Sequence, residues 1–342
     1  MDIFIIMNEF PPRTFPAHDL IGDLWLNTDP LAVHALRGQV ILLFFWDFAC
    51  GRSLSVLPVI QEWYRRYGPY GLVALGVHSP KFPFSEAPSR VRKETLRLGV
   101  SLPVVVDGSL MVWSRYECRS WPTVLLIDAA GYLRYRHEGL EEYRSLEQSL
   151  RYLLHEASSV EDLPDPGGLP EDRARGTSSG DGPAEEIFAG YRRGSIGNVE
   201  GVVPESTQVF ADPGIYLPGR IYLHGPWECL RDSVRSAGRA SAVVPYAGRE
   251  AHLVLGYEGT APVEIAVSED ERNLAADGAG SDVHIRPSGE SILLVGEPRL
   301  YRVALHQTPG SHRLRIACRE PGLELYAVSF LAGMLSDVIS RN

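Results

Sequence analysis

The sequence is poor in the features that announce the commonest partners and scaffolds. It has four cysteines in 342 residues, too few for a disulfide scaffold and in keeping with reduced thiols. It has no excess of cationic residues: 33 Lys and Arg against 43 Asp and Glu give a formal net charge of −10. No basic run occurs either, so a nucleic-acid backbone is a poor partner. No apolar run is long enough to span a bilayer. The short run Ile3 to Met7 follows Asp2 without a cationic region, so neither a secretory signal nor a membrane helix is expected, and the cytoplasm is the expected compartment. No Gly-rich phosphate loop follows a strand, and His, Cys and carboxylate residues do not recur at metal-ligand spacing. Neither a nucleotide nor a metal cofactor is therefore expected.

What is present is globular. At 44% apolar content, the chain exceeds the roughly 250–300 residues beyond which single cores stop growing, so two cores are expected. The composition shifts between Ala157 and Glu186 to Ser, Pro, Gly, Asp and Glu, which bury too little apolar area to offset the entropy of ordering. The expected organisation is a first domain over residues 1–156, an acidic flexible linker over 157–186 and a second domain over 187–342.

The first domain is built around Val40 to Pro58, VILLFFWDFACGRSLSVLP. The continuous apolar run Val40 to Trp46 fits a strand buried on both faces. After it, Leu54, Leu57, Ile60 and Trp63 recur at helical spacing. Cys50 thus sits where a buried strand meets a helix N-terminus, whose free N–H groups and dipole favour a thiolate. Arg52 acts in the same direction if it turns toward the sulfur.

The segment Trp46-Asp-Phe-Ala-Cys50-Gly-Arg-Ser53, followed by Leu57-Pro58, resembles the active-site motif of thioredoxin-like proteins of the TlpA and ResA kind. It is most similar to the soluble C-terminal part of the DipZ proteins. That family carries Trp-x-x-x-Cys-x-x-Cys with a proline about five residues later; here Ser53 replaces the second cysteine. The wording Trp25-Leu26-Asn27-Thr28 and Leu36-Arg37-Gly38 is similar to the DipZ lead-in, read here as a surface hairpin packing Trp25 on the sheet. The resemblance also implies a cis bond before Pro122 in Trp121-Pro122, packed beside Cys50 and leaving a backbone edge for substrate. Two family carboxylates are missing: Phe44 and Val56 occupy the positions of the buried acid of thioredoxins and the glutamate of ResA-like proteins. Asp47 reads as a solvated strand-end residue.

Further strands are expected at Gly71 to His78, Pro103 to Val106, Trp121 to Asp128 and Tyr132 to His137. Helices are expected over Arg90–Leu98, Leu110–Tyr116 and Glu141–His155, with Gly131 as a hairpin turn. Strands alternating with helices argue for an α/β domain with a parallel core, which the resemblance makes a thioredoxin-like fold. The second half has another rhythm. Short β-rich segments occur at Gly219–Leu223, Ala242–Pro245, His252–Tyr257, Val263–Val267, Val283–Arg286, Ile292–Val295, Leu300–Leu305, Leu314–Ala317 and Leu323–Phe330. Turn signals stand at Asp277-Gly278, Pro309-Gly310 and Pro321-Gly322. That pattern describes an all-β sandwich of jelly-roll type. With Glu186 to Arg192 it also resembles the terminal, carbohydrate-binding-module-like domain of DipZ.

Two functions from different classes follow. The first is a thiol–disulfide oxidoreductase with a Cys-x-x-Ser monothiol site: Cys50 as nucleophile, Ser53 and Arg52 beside it, and Trp46, Trp121, Pro122 and His78 as substrate-binding residues. Protein or small-molecule thiols and disulfides would be its partners. Ser53 cannot resolve a mixed disulfide, so glutathione, a partner protein or Cys118 would do so; Cys118 reads more readily as a small residue in a helix-to-strand loop. The second is a redox-inactive thioredoxin scaffold carrying a β-sandwich that binds a glycan or protein, with Trp227, Tyr257 and Tyr326 as a candidate stacking platform. A one-cysteine peroxidase is a third, weaker reading, because the Pro-x-x-x-Thr-x-x-Cys arrangement of peroxiredoxins is absent around Cys50. His78 reads alternatively as a hydrogen-bonded structural histidine, and Cys229 and Cys318 as buried free thiols.

Overall fold

A computed structural model describes residues 15–158, 162–166 and 186–331. The run Ile3 to Met7 and most of the 157–186 linker lie outside these residues. The described residues divide into two compact units, the first within 15–166 and the second within 186–331. Among the described residues no helix is long and apolar enough to cross a membrane.

The first unit runs β1 (Leu24–Leu26), β2 (Val40–Trp46), α1 (Gly51–Tyr67), β3 (Leu72–His78), α2 (Pro88–Arg97), β4 (Val104–Val106), α3 (Met111–Arg115), β5 (Thr123–Ile127), β6 (Leu133–Glu138) and α4 (Tyr143–Ser158). Its six strands form one sheet in the order β1-β4-β3-β2-β5-β6. β2, β3 and β4 are parallel, while β1, β5 and β6 join antiparallel. β2 lies centrally, which is why all seven of its residues are buried and why its sequence shows no alternation. Ile41, Leu43 and Phe45 face a core with Leu75, Val105, Tyr116 and Leu125. Helices α1 and α4 contact β2. The turn at Gly131 joins β5 to β6, with a positive φ of 85° at the glycine. Trp25 does not lie in a surface hairpin: β1 is an edge strand paired with β4, so the short alternation Leu24-Trp-Leu26 is closed by a partner far along the chain.

The second unit contains β7 (Glu186–Phe188), β8 (Ser206–Phe210), β9 (Tyr222–Cys229), β10 (Val234–Ser236), β11 (Ala240–Tyr257), β12 (Val263–Glu269), β13 (Arg272–Asn273), β14 (Val283–Ile285), β15 (Ser291–Val295), β16 (Arg299–Cys318) and β17 (Leu323–Leu331). These strands pair antiparallel throughout. Two long strands, β11 and β16, pair along most of their length. β11 also pairs with β9 through Ser241–Val243 and with β17 through Glu250–Tyr257. A strand that changes partner along its length passes from one layer to the other, and the two layers close on a core containing Trp227, Leu253, Ile265, Val303 and Leu325. The result is a β-sandwich.

The sequence divided each long strand in two. Ala242–Pro245 and His252–Tyr257 both belong to β11, and Leu300–Leu305 and Leu314–Ala317 both belong to β16. Pro309-Gly310 does not end a strand; it lies within β16, where residues 306–309 stand opposite the single residue Arg249 of β11. Short β7, β8, β10 and β13 were not anticipated. The turns at Asp277-Gly278 and Pro321-Gly322 are present.

Candidate active site at Cys50

Cys50 is the N-cap of α1, with extended backbone dihedrals of φ −104° and ψ 110°. Its carbonyl accepts the first helical bond, from Leu54 N at 3.0 Å. Burial of β2 on one side and of Leu54, Leu57, Ile60 and Trp63 on the other holds this junction in place. Cys50 as a residue is 1% exposed and is a free thiol.

Two groups approach it. Lys81 Nζ donates to Sγ at 3.7 Å, and the carbonyl oxygen of Trp121 lies 4.0 Å from Sγ. The Trp121–Pro122 peptide is cis. Each approach is fixed by a chain of contacts that begins at a buried carboxylate.

The first begins at Asp47, which the sequence placed in solvent. Asp47 is fully buried. Its Oδ1 accepts from Ala49 N at 2.5 Å, and its Oδ2 accepts from Lys81 N at 2.7 Å and Ser85 Oγ at 2.6 Å. Three donors to one carboxylate offset the cost of burying the charge. They also tie the loop after β3 to the end of β2, which delivers the Lys81 ammonium to the sulfur.

The second begins at Asp107, which accepts from Val112 N at 2.9 Å and Trp113 N at 2.8 Å. Burial pushes its carboxyl up, and these donors pull against that shift. They set α3 so that Trp113 stacks on Trp121 with ring centroids 4.1 Å apart. Trp121 Nε1 in turn donates to Ser79 O at 2.8 Å. Lys81 Nζ lies 5.8 Å from the Trp121 ring centroid, so cation and indole together flank the thiol.

The other expected site residues fall differently. Ser53 is buried, and its Oγ has no hydrogen-bond partner. Arg52 directs its guanidinium toward the turn after β6: a Cβ on Gly139 would meet Arg52 Nη2 at 2.9 Å, and its charge acts on Tyr143. Trp46 is core rather than substrate surface, stacked on Phe44 at 6.3 Å. His78 is fully buried, edge-on to Trp46 and stacked on Phe48, both at 5.3 Å. The hydrogen-bonded histidine expected there is not found, since neither ring nitrogen has a partner, and burial pushes its pKa below the usual imidazole value. Cys118 packs in the sheet core with Phe45 and Tyr116, where burial raises its thiol to about 12. A thiol held protonated makes a poor resolving nucleophile. Lys81 was missed from sequence; its only signal is that it is the one cation in the Pro-rich loop Ser79 to Pro88.

In the sandwich, Cys229 and Cys318 are buried free thiols. Trp227 is fully buried, which removes it from any stacking platform. Tyr257 lines a surface cleft with Arg286, Glu290 and Arg319.

Residues 184–330 match the family model "Thioredoxin like C-terminal domain". Protein DipZ of Mycobacterium tuberculosis is 30% identical over 245 residues, covering 70% of this chain and 34% of DipZ. The first unit has a thioredoxin-like fold, and the chain is similar to DipZ. It spans about a third of DipZ's length. The chain is also 26% identical to the thiol-disulfide oxidoreductase ResA of Halalkalibacterium halodurans over 132 residues, 39% of the chain and 72% of ResA. A crystal structure of a thioredoxin-like superfamily protein is 25% identical with a TM-score of 0.40, covering 42% of this chain and 99% of that one.

Proposed function

We propose that the thioredoxin-like domain is a monothiol thiol–disulfide oxidoreductase acting through Cys50. The observation that carries the reading is the pairing of a strand-to-helix thiol with the Lys81 ammonium at 3.7 Å, beside the Trp121–Pro122 edge. Kinship with ResA and DipZ supports the same chemistry.

The Cys50 thiolate attacks one sulfur of a disulfide substrate. A Cys50–substrate S–S bond forms as the original bond breaks, and the leaving thiolate departs with the electron pair and takes a proton from water. Lys81 stabilises negative charge on the sulfur as it attacks and again when it leaves. Ser53 offers an oxygen where a second thiol would stand, so an external thiol completes the cycle. One glutathione thiolate attacks the Cys50 sulfur and releases the second substrate thiol. A second attacks the glutathione sulfur of the resulting adduct, freeing Cys50 and forming glutathione disulfide. The net change is one substrate disulfide reduced and two glutathione thiols oxidised. The Trp121–Pro122 backbone edge seats the substrate chain.

The test is incubation of the full chain with glutathione disulfide, followed by intact and peptide mass spectrometry. One adduct, on Cys50, formed faster than on an unstructured cysteine peptide and absent in Cys50→Ser, is expected. No adduct, or an adduct at rates no greater than the peptide's, would falsify the oxidoreductase assignment. That result would favour the redox-inactive scaffold, the reading to which the 1% exposure of Cys50 points.

A further inference from the structure

Glu269, His306 and His312 each bring one ligand atom to within 4.8 Å of the others, the one such group of three among the described residues. We infer that they form a binding site for a single zinc-class divalent transition-metal ion in the β-sandwich, on elements remote in sequence from the Cys50 chemistry. No local pattern signals this, because Glu269 ends β12 while both histidines lie on β16, and six residues of regular strand would set them about 20 Å apart.

The bulge in β16 removes that separation. Leu305 pairs with Glu250 and Gly310 with Gly248, so residues 306–309 are looped out against Arg249 alone. The excursion folds His306 back on His312, with ring centroids 4.1 Å apart and planes 11° from parallel. Gly310 leaves room for the His312 ring, since a Cβ there would lie 2.7 Å from His312 Nε2. Arg249 Nε donates to His306 O at 2.7 Å and pins the loop. Bulges commonly re-aim side chains in this way at functional positions.

Glu269 supplies the third donor. Its Oε2 lies 3.1 Å from His306 Nε2 and 3.7 Å from His312 Nδ1. For ligand bonds of about 2.0–2.1 Å, tetrahedral coordination places donor atoms roughly 3.3–3.4 Å apart, so these separations bracket that edge, and the two stacked rings turn about their side-chain torsions to aim both nitrogens at one ion. Oε1 is held from the other side by Tyr246 Oη at 2.5 Å, which fixes the carboxylate orientation in the manner of an outer-shell partner. Tyr246 is itself locked by stacking on buried Phe330 at 4.9 Å. Asp270 Oδ2, 3.1 Å from His312 Nδ1 and at a more exposed rim position, is available as a fourth oxygen donor. Two imidazoles with one or two carboxylates are a donor set for zinc and its neighbours; calcium and magnesium prefer oxygen donors alone.

The test is titration of the full-length chain, metal-free, with zinc chloride by isothermal calorimetry, with cobalt(II) absorption as a second readout. One ion per chain is expected, with tetrahedral cobalt d–d bands. Glu269→Gln, which keeps an oxygen for Tyr246, and His306→Ala should each weaken binding at least about tenfold, and Tyr246→Phe by about tenfold as an outer-shell change. Cys50→Ser should leave binding unchanged, and calcium should give no heat. Circular dichroism matching the parent shows that the variants are folded; if Glu269→Gln and His306→Ala both lose their fold, His312→Gln takes their place. The inference is overturned if zinc fails to bind at about 0.1 mM, or if binding persists at parental strength in folded variants of two of the three ligands.

Discussion

Ser53 is where this site departs from a dithiol oxidoreductase, and it is also where the structure leaves a buried hydroxyl without a partner. Ser53→Cys is expected to create a second thiol one helical turn from Cys50 and to confer dithiol-dependent reduction of insulin on a parent that shows almost none, as followed by turbidity. Lys81 contributes differently. Hydrogen bonds to a charged group are worth about 1.5–3 kcal/mol, so Lys81→Met should slow glutathione-adduct formation at Cys50 by roughly ten- to a hundredfold while leaving the unfolding midpoint nearly unchanged. Stopped-flow or quenched mass spectrometry checks this, and an unaltered rate removes Lys81 from the site. His78 carries a stability prediction. Burial lowers its pKa in the folded state from the usual 6.5, against the opposing pull of Asp47. The unfolded chain therefore binds the extra proton first as pH falls. Stability is full above about pH 6.5 and declines below it until the folded pKa is reached. His137, also lowered by burial, acts in the same direction. Unfolding in urea at pH 7.5 and 5.5 should show this loss, and His78→Leu should reduce the dependence on pH. Cys50 and Pro122 were legible because the motif around each is continuous in sequence. Lys81 and the burial of Asp47 were not, because each depends on a loop whose position is set by hydrogen bonds between distant residues.

Elements show the same division. β2 could be read to the residue and α1 by its start and buried face, because strand burial and helical spacing are local patterns, and the Asp47 carboxylate is what joins them to the loop after β3. Asp47→Ala would leave Ala49 N and Lys81 N without their acceptor, while Ser85 Oγ keeps Phe82 O at 2.9 Å, at about 1–3 kcal/mol for each group that water cannot reach. The expected loss of stability is about 2–4 kcal/mol. Because the same bonds hold Lys81 at the sulfur, Cys50 should form the glutathione adduct more slowly in this variant, as in Lys81→Met, while its unfolding midpoint falls. A midpoint that drops with an unchanged rate of adduct formation would separate the loop from the site. The long strands β11 and β16 were illegible for a related reason. Glycine and proline at Gly248 and Pro309-Gly310 signal a break, and the chain does leave the ladder there, but as a bulge whose unpaired positions need no proline N–H. Sequence patterns report that a ladder is interrupted without reporting whether the strand resumes. That resumption brings His306 and His312 together, so the candidate metal site and the misread strand have one cause.

For the molecule as a whole, the two units have separate cores: one spans the mixed sheet around β2, and the other lies between the layers of the sandwich. Neither core cluster includes residues of the other unit. Perturbations that act by burial and hydrogen bonding should then remain within the unit in which they are made. Differential scanning calorimetry of the intact chain is expected to resolve two transitions. Asp47→Ala should lower one of them and leave the other in place. Zinc at about a hundredfold its dissociation constant should add about 2.7 kcal/mol to the second alone, and Glu269→Gln should abolish that increment. If Asp47→Ala and zinc move a single common transition, the cores unfold as one cooperative body, and energy supplied at the sandwich is felt at Cys50. The thiol's reaction rate with glutathione disulfide, measured with and without zinc, then becomes the decisive comparison: independent units require it to stay constant.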